Sequence, residues 1–216
     1  MKNDPERRAR RDRALTSPVP GVAALILAAG ESSRMGADKA TLDYKGSAFL
    51  AGILKTLGEA GIERVAVVLG HHAAEIRQSV NLGAAEVVTN PDYQRGQTSS
   101  LQVGLEALEA EELEAVVVCL VDHPAISAQT IRQIVAAFRD SRAPVVIPTH
   151  QGRRGHPVVL GRQLFEELLS LGREVGANTV VRKHREATKF VEVDDPGILL
   201  DIDDPVSYRR LIESER

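Results

Sequence analysis

Short apolar runs alternate with amphipathic segments along most of the chain. The runs are rich in valine and only four to eight residues long, which is typical of strands buried on both faces of a sheet. They comprise residues 22–29, 65–69, 85–88, 116–121, 145–148 and 190–193. Between them, apolar side chains recur at helical spacing. Such positions are Phe49, Ile53, Leu54 and Leu57, then Leu101, Leu105 and Leu108, and then Ile131, Ile134, Val135 and Phe138.

This alternation predicts an α/β fold, with a three-layer, doubly wound and mostly parallel sheet that has helices on both faces. Right-handed crossover connections would place the carboxyl end of every strand along one edge. Open α/β sheets bind their ligands at that edge. We therefore expect the functional residues in the loops that follow the strands.

Composition and charge divide the chain unevenly. Its 216 residues, 43% of them hydrophobic and 26% charged, suit one soluble globular domain. Residues 1–20 contain six basic and three acidic side chains and few apolar ones, so they predict a disordered tail ahead of a folded domain of residues 21–216. The folded part then has a net charge of −6, which argues against a nucleic-acid partner.

The sequence also predicts neither export nor a membrane partner. The first 20 residues lack the apolar core of a signal peptide, and no apolar stretch approaches the length of a membrane span. Cys119 is the single cysteine, so an internal disulfide cannot form. We expect a cytoplasmic protein.

The loop after the first apolar run is the most informative segment. Residues 25–39 are Leu-Ile-Leu-Ala-Ala-Gly-Glu-Ser-Ser-Arg-Met-Gly-Ala-Asp-Lys. Glycines, serines and two cations at the end of a parallel strand suit a polyphosphate, because backbone N–H groups and positive side chains point into the crevice. Neither a P-loop nor a dinucleotide fingerprint matches this glycine spacing. A tight strand-to-helix turn with Arg34 and Lys39 on the surface is the alternative.

The same segment matches the nucleotidyltransferase signature Leu-Ala-Ala-Gly-x-Ser-x-Arg-Met-Gly-x-x-Lys at every fixed position. The chain resembles the molybdenum cofactor cytidylyltransferase branch of that family, which has a nucleotide-diphospho-sugar transferase fold. The resemblance implies catalytic roles for Arg34, Lys39 and Asp122, and it implies nucleotide binding by this loop and by two later serines. The implied nucleotide-binding residues are Leu27, Ala28, Ala29, Gly30, Ser32, Ser33, Arg34, Lys39, Ser99 and Ser100.

The two serines belong to a segment that resembles the branch's Asn…Gly-x-x-x-Ser-Leu-x-x-Gly motif, here from Asn90 to Gly104. Ser99 or Ser100 is predicted to open a helix whose N-terminus faces an anion. An ordinary N-cap serine is the alternative.

Asp122 directly follows the apolar run that ends at Val121, and the family places a metal-binding aspartate at this point. A nucleoside triphosphate arrives with Mg²⁺, which prefers carboxylate oxygens. An Asx turn ahead of His123-Pro124 is the alternative for Asp122. The family usually has Gln or Met at the position of His123, which we expect to fill the turn.

The second Mg²⁺ ligand is expected in residues 201–205, Asp-Ile-Asp-Asp-Pro, which resemble the family's Asp-Ile-Asp-Thr-Pro segment. Asp204 precedes Pro205 at the start of a predicted helix and is the expected N-cap. That leaves Asp203 as the predicted metal ligand, with Asp201 as its support.

Residues 152–157, Gly-Arg-Arg-Gly-His-Pro, match a further segment of the branch. Two arginines and a histidine between glycines suit the phosphate of an acceptor. Arg153, Arg154, Gly155 and His156 are therefore the predicted acceptor-binding residues. A solvated surface turn is the alternative.

The resemblance implies Mg²⁺-dependent transfer of a nucleoside monophosphate to the terminal phosphate of molybdopterin or its molybdenum-loaded form, with release of pyrophosphate. CTP is the favoured donor, because Ala29 adds a methyl group where the guanylyltransferase branch has glycine and a wider purine would lie. A sugar phosphate or another small phosphorylated alcohol as acceptor is one alternative, and a non-catalytic nucleotide-binding regulator is another. A molybdoenzyme or its chaperone would receive the product, and both a monomer and a dimer remain open.

Overall fold

The computed structural model describes residues 18–213, which fold around one large sheet and a separate two-stranded hairpin. The strands are β1 (Val22–Ala28), β2 (Asp43–Tyr44), β3 (Ser47–Ala48), β4 (Val65–Leu69), β5 (Glu86–Thr89), β6 (Ala115–Leu120), β7 (Val145–His150), β8 (Arg153–Arg154), β9 (Val158–Gly161) and β10 (Lys189–Glu192). The α-helices are α1 (Phe49–Glu59), α2 (Ala73–Ser79), α3 (Gln97–Ala107), α4 (Ala128–Ser141), α5 (Phe165–Leu169), α6 (Asn178–Lys183) and α7 (Pro205–Glu213). Short 3₁₀ helices occupy Lys39–Thr41, Tyr93–Arg95, Arg162–Leu164, Arg185–Ala187 and Pro196–Leu199. Within residues 18–213, no helix combines the length and the apolar character needed to cross a membrane.

The large sheet has the strand order β10-β7-β9-β6-β1-β4-β5, with β8 paired to β7. β1 lies parallel to β4 and β6, so that Leu27 is opposite Val68 on one side and Leu120 on the other. β4 is parallel to β5, and β7 is parallel to β10. The loops after β1, β4, β5 and β6 therefore meet at one edge, and the predicted mostly parallel sheet is confirmed.

β8 and β9 differ from this pattern. They return along β7 as the second arm of a hairpin, and β9 is antiparallel to both β6 and β7. The two-residue turn at Gln151 and Gly152 has positive φ angles of 51° and 73°, the conformation that reverses a strand tightly. The expectation that every strand ends at one edge is wrong for these two strands, because a hairpin rather than a crossover leads to them.

Alternate residues of β1 pack on opposite faces of the sheet, as the pleat of a strand requires. Ala24 and Ile26 belong to the core that contains the apolar side chains of α1, α2 and α4. Leu25 and Leu27 belong to the core that contains those of α3, α5 and α6. Helices therefore cover both faces, which confirms the predicted three-layer arrangement.

The folded domain begins before residue 21, where the sequence predicted its boundary. Val19 donates its N–H to the carbonyl of Gly61 at 3.0 Å and packs against the core, and Arg139 donates to the carbonyl of Pro20 at 3.0 Å. Residues 18–20 thus do not belong to a disordered tail. The prediction for residues 1–17 lies outside the described part of the chain.

A small apolar cluster joins the loop after β1 to the C-terminal segment. Met35 of the loop and Ile202 of the segment are buried together with Phe49 of α1 and Leu211 of α7. Because Met35 follows Arg34 and Ile202 precedes Asp203, this cluster fixes the basic loop beside the acidic segment.

Candidate active site

The loop after β1 folds back on itself at the carboxyl edge of the sheet. Ser32 has a positive φ of 50°, and its carbonyl accepts the N–H of Met35 at 2.9 Å. The Ser32 hydroxyl accepts the N–H of Lys39 at 3.1 Å. These two bonds close the loop, so that Arg34 and Lys39 face the same opening.

Lys39 joins the two aspartates that were predicted to bind metal. Its Nζ donates to Oδ1 of Asp203 at 2.5 Å and to Oδ2 of Asp122 at 3.3 Å. Arg34 donates to the other oxygen of Asp203, Oδ2, at 2.8 Å. The hydrogen bond from Lys39 lowers the pKa of Asp203, and that from Arg34 lowers it further. The Lys39 side chain is only 11% exposed, whereas that of Arg34 is 72% exposed, so only Arg34 has room to move.

The C-terminal acidic segment lies against Asp122. The N–H of Ile202 donates to the carbonyl of Asp122 at 2.9 Å. Asp204 accepts the N–H groups of Val206 and Ser207 through Oδ1, at 3.0 and 2.7 Å. It caps α7, as predicted, and this leaves the two aspartates that precede it to face Asp122.

The second oxygen of Asp122 has different surroundings. Oδ1 is buried without a hydrogen-bond partner among residues 18–213, and the Nε2 atom of buried His123 lies 3.9 Å from it. One oxygen or nitrogen atom from each of Asp122, His123 and Asp201 lies within 4.8 Å of the other two. Burial raises the pKa of Asp201, as do the charges of Asp122 and Asp203. Burial lowers the pKa of His123, so the imidazole is neutral near pH 7.

A cavity of about 260 Å³ lies between the loop after β1 and the end of β6. It is lined by all the predicted nucleotide-binding residues except Ser99, and by Asp122 and Asp203. Further lining residues were not selected from the sequence: Asp38, Tyr93, Gly96, Gln97, Leu120 and Val121. Gly96 could have been selected from the sequence, since it belongs to the same motif that indicated Ser99 and Ser100. It lies just before α3.

The two serines do not open a helix, so that expectation is wrong. α3 begins at Gln97 with Gly96 as its N-cap residue. Both hydroxyls are buried within the first turn and accept hydrogen bonds from the Asn90 side chain, at 2.9 Å for Ser99 and 3.0 Å for Ser100. These hydrogen bonds hold the loop after β5 against α3. Of the two serines, only Ser100 lines the cavity.

The predicted acceptor loop lines a second cavity of about 300 Å³. This cavity shares Leu27, Gln97 and Leu120 with the first. Arg154, Gly155 and His156 lie at its polar end, and the remaining lining is mostly aliphatic: Leu101, Val118, Ile147, Val158, Leu160, Ala177, Asn178 and Val181. The two cavities are therefore adjacent, and we refer to them together as the cleft.

The two arginines of this loop have different positions. They are neighbours in β8, and neighbouring side chains of a strand point to opposite faces. Arg154 lines the second cavity, and its guanidinium lies 4.7 Å from the centre of the Phe190 ring. Arg153 lines neither this cavity nor the first. Only Arg154 of the predicted pair is thus positioned to meet a ligand of the cleft.

Gly155 and His156 are held against the turn at Pro196–Leu199. A Cβ at Gly155 would overlap the carbonyl of Ile198, and the N–H of His156 donates to that same carbonyl at 3.0 Å. Burial and, to a smaller extent, the neighbouring His123 lower the pKa of His156 to about 4. His156 is therefore neutral near pH 7, so Arg154 supplies the positive charge in this cavity.

The fold agrees with comparisons to known proteins. Residues 24–188 match the family model of the MobA-like NTP transferase domain. The chain belongs to this family. MobA-like domains are nucleotidyltransferase domains with the nucleotide-diphospho-sugar transferase fold, and nucleotidyltransferases typically use divalent metal ions.

Individual relatives span nearly the whole MobA-like chain. Nicotine blue oxidoreductase of Paenarthrobacter nicotinovorans is 28% identical over 206 residues, 90% of this chain and 98% of the relative. Molybdenum cofactor cytidylyltransferase of Escherichia coli is 25% identical over 193 residues, 85% of this chain and 92% of the relative.

Solved structures extend the comparison. The crystal structure of Rv0371c from Mycobacterium tuberculosis is 29% identical and superposes with a TM-score of 0.80, covering 92% of this chain and 99% of that chain. A complex of Rv0371c with manganese has a TM-score of 0.75 at 27% identity, over 90% and 99% of the two chains.

Proposed function

We propose that this MobA-like domain transfers CMP from CTP to the terminal phosphate of molybdopterin or its molybdenum-loaded form, and releases pyrophosphate. The observation that supports transfer most strongly is the position of Lys39. Its ammonium lies between Asp122 and Asp203, and Lys39 lines the first cavity together with the glycine-rich loop.

Charge is the main obstacle to this reaction. A phosphate monoester has a second pKa of about 6, so the acceptor is largely a dianion near pH 7 and needs no general base. It must nevertheless attack the α-phosphorus of a triphosphate that is itself an anion. Catalysis then consists of charge neutralisation and in-line positioning.

The positive groups of the cleft suit those two tasks. Lys39, buried and fixed by its two carboxylate partners, would balance the charge that develops on the α-phosphate and its attacker. Arg34 is mostly exposed and would close on the β- and γ-phosphates. The N–H groups of residues 30–34 would hold the departing pyrophosphate, because preorganised donors stabilise charge where it develops.

The acidic residues fit a divalent cation. Oδ1 of Asp122 is buried and unpartnered within residues 18–213, and hard ions such as Mg²⁺ prefer carboxylate oxygens. Asp122 would hold the ion together with the acidic segment, in which Asp203 is the ligand predicted from the sequence. When bound, the ion would neutralise phosphate oxygens and orient the triphosphate.

The second cavity supports an acceptor that is part apolar ring and part phosphate. Its aliphatic lining suits a flat heterocycle such as a pterin, and Arg154 offers a planar guanidinium for a phosphate at the polar end. Because the two cavities share Leu27 and Gln97, that phosphate would lie near the α-phosphorus of a nucleotide in the first cavity.

Cytosine selection is proposed from Ala29. This residue is buried, lines the first cavity, and accepts the N–H of His71 through its carbonyl at 3.3 Å. The carbonyl bond fixes the backbone, so the Ala29 methyl group narrows the cavity at one place. One methyl group in a pocket is worth about 1–3 kcal/mol of discrimination, which is enough for a preference between CTP and GTP.

The direct test is an incubation of the purified protein with a divalent cation, molybdopterin and each of the four nucleoside triphosphates, with pyrophosphate as the readout. We expect pyrophosphate release that requires molybdopterin and is fastest with CTP. Release with a sugar phosphate in place of molybdopterin would reassign the acceptor. Tight CTP binding without any release would identify a non-catalytic nucleotide-binding protein.

A redox reaction is the second candidate, because the relative with 28% identity is named an oxidoreductase. Such a reaction would need an electron donor such as a reduced pyridine nucleotide in the cleft. Oxidation of that donor by an acceptor, without pyrophosphate release from any triphosphate, would favour this candidate over nucleotidyl transfer.

A further inference from the structure

Phe190 carries an exposed aromatic ring beside the second cavity. It lies on β10 opposite Ile147 of β7, and Ile147 lines that cavity. Residues opposite each other on paired strands share a face of the sheet, so the ring lies on the face that carries the cavity. Phe190 is 38% exposed, whereas the other phenylalanines of the chain are buried: Phe49, Phe138 and Phe165. Burial in the core therefore does not account for this ring.

The guanidinium of Arg154 lies over the exposed ring, with its central carbon 4.7 Å from the ring centre. Arg154 is opposite Thr149 in the hairpin of β7 and β8, which places it on the cavity face as well. Within residues 18–213, its side chain takes part in no hydrogen bond or ion pair. A guanidinium can contact a ring while the N–H groups at its edge remain available to an anion. Phe190 therefore holds Arg154 without occupying its donors.

Glu192 lies two residues further along β10, on the same face as Phe190. Its Oε2 atom accepts the hydroxyl of Thr149 at 2.6 Å, and its Oε1 atom accepts the N–H of Gln151 at 2.7 Å. The hydrogen bond from Thr149 lowers the pKa of Glu192. Both bonds hold the turn that leads into β8, a strand of only two residues. Glu192 thus fixes the hairpin that carries Arg154, and its carboxylate is used there rather than in an ion pair with the guanidinium.

We propose that Phe190 and Glu192 are positioning residues for Arg154, which they prepare to bind an anionic group of a ligand in the second cavity. Glu192 holds the hairpin, and Phe190 holds the guanidinium. This deepens the proposed nucleotidyl transfer and rests on it for the identity of the anion, which would be the acceptor phosphate. An arginine that is ordered only on binding lowers affinity through lost side-chain freedom. Contact with the ring before binding removes part of that loss.

Phenyl phosphate is the probe, because it combines a flat apolar ring with one phosphate group. It is titrated into ¹⁵N-labelled protein, and binding is followed at the Nε–H resonance of Arg154, which is assigned by its absence from Arg154→Lys. We expect Phe190→Leu to weaken binding by about two- to fivefold, the range of an exposed cation–π contact. Phe190→Tyr keeps a ring and should bind as the wild type does. Lys189→Ala, on the opposite face of β10, is the matched control and should also bind normally.

The ligand-free protein supplies a second readout. The ring current of Phe190 should displace the Arg154 resonance, and this displacement should disappear in Phe190→Leu but persist in Phe190→Tyr. Glu192→Ala should move the same resonance and weaken phenyl phosphate although the ring is intact, because the hairpin loses two hydrogen bonds. Glu192→Gln keeps a carbonyl oxygen as acceptor and should be affected less. Thermal unfolding of each variant checks that it is folded.

Three results would overturn the proposal: equal phenyl phosphate affinity of wild type and Phe190→Leu, an Arg154 resonance unchanged by Phe190→Leu and Glu192→Ala, or no response of the wild-type resonance to phenyl phosphate. These measurements need neither CTP nor turnover, so they decide the positioning of Arg154 whether or not pyrophosphate is released. In the transfer reaction, Phe190→Leu should raise the acceptor KM by the same factor and leave kcat unchanged. A lower kcat at unchanged KM would contradict a positioning role.

Discussion

The two cavities of the cleft meet at Leu27, Gln97 and Leu120 but are built differently. The first is lined by glycine-rich backbone and by charges that pair across the loop after β1, the end of β6 and the C-terminal segment. The second is lined mainly by aliphatic side chains, with Arg154 and neutral His156 at one end. The first cavity, the charged side of the cleft, can neutralise a polyphosphate. The second cavity, the apolar side, can enclose a mostly apolar group that carries one phosphate, whose charge Arg154 would balance.

This contrast predicts that changes on the charged side affect the chemical step, whereas changes on the apolar side affect acceptor affinity. The largest effect should come from Asp122→Asn, which removes a charge and a predicted metal ligand while keeping the shape. We expect kcat to fall by about 10³-fold or more, with a thermal unfolding midpoint near that of the wild type. Asp194→Asn, an exposed carboxylate outside both cavities, is the matched control. Near-normal turnover of a folded Asp122→Asn would remove this residue from catalysis.

The two arginines of β8 provide a matched pair on the other side. Arg154→Ala should raise the KM for the acceptor by roughly 10- to 100-fold, the equivalent of about 1.5–3 kcal/mol for a hydrogen bond to a charged group. Arg153→Ala should change it less than about twofold, because that side chain lines neither cavity. Initial rates at varied acceptor concentration and saturating CTP give the acceptor KM of both variants. Equal effects of the two variants would contradict the assignment of the second cavity to the acceptor.

Ala29→Gly tests base selection on the charged side. Removal of one methyl group should narrow the CTP-over-GTP preference in kcat/KM by about tenfold or less, without markedly slowing the CTP reaction. Competition between the two nucleotides for one acceptor gives the ratio for wild type and variant. A wild-type preference for GTP would refute the cytidylyl assignment, and an unchanged ratio in the variant would place base selection at other residues.

The smallest effect should come from the N-terminal segment, of which the described residues 18–20 line neither cavity. Deletion of residues 1–17 should leave turnover, nucleotide affinity and the free energy of unfolding unchanged. Deletion of residues 1–20 should lower that free energy by about 1–2 kcal/mol, because it removes the Val19–Gly61 hydrogen bond and the packing of Val19. Urea unfolding gives the free energy of unfolding of both deletion variants. A large loss of turnover in the shorter deletion would mean that the basic residues act at the site.

The charged side was more predictable from the sequence than the apolar side, for a physical reason. Arg34 and Lys39 belong to one short loop after β1, and Asp122 directly follows the apolar run of β6. Because the two strands are parallel neighbours, their carboxyl ends place these residues together. The second cavity depends on β9, a four-residue strand after Pro157 with no alternation to reveal it. Its lining comes from segments far apart in the chain.

Side-chain direction was the other information that the sequence could not supply. Whether Arg153 or Arg154 faces the cleft depends on the hairpin register of β8 on β7. Ser99 and Ser100 were expected at a helix start, but the helix begins two residues earlier, at Gln97, and the serines bond Asn90 instead. The pairing of both Asp203 oxygens with Lys39 and Arg34 likewise follows from tertiary packing around Met35 and Ile202.

The most direct test of the account follows the phosphorus atoms. CTP labelled at the α-phosphate or at the γ-phosphate is incubated with the protein, a divalent cation and molybdopterin, and the products are separated. We predict that the α-label enters a dinucleotide with the acceptor and that the γ-label appears only in pyrophosphate. Release of γ-labelled orthophosphate, or an unlabelled acceptor with both labels retained in CTP, would contradict nucleotidyl transfer in this cleft.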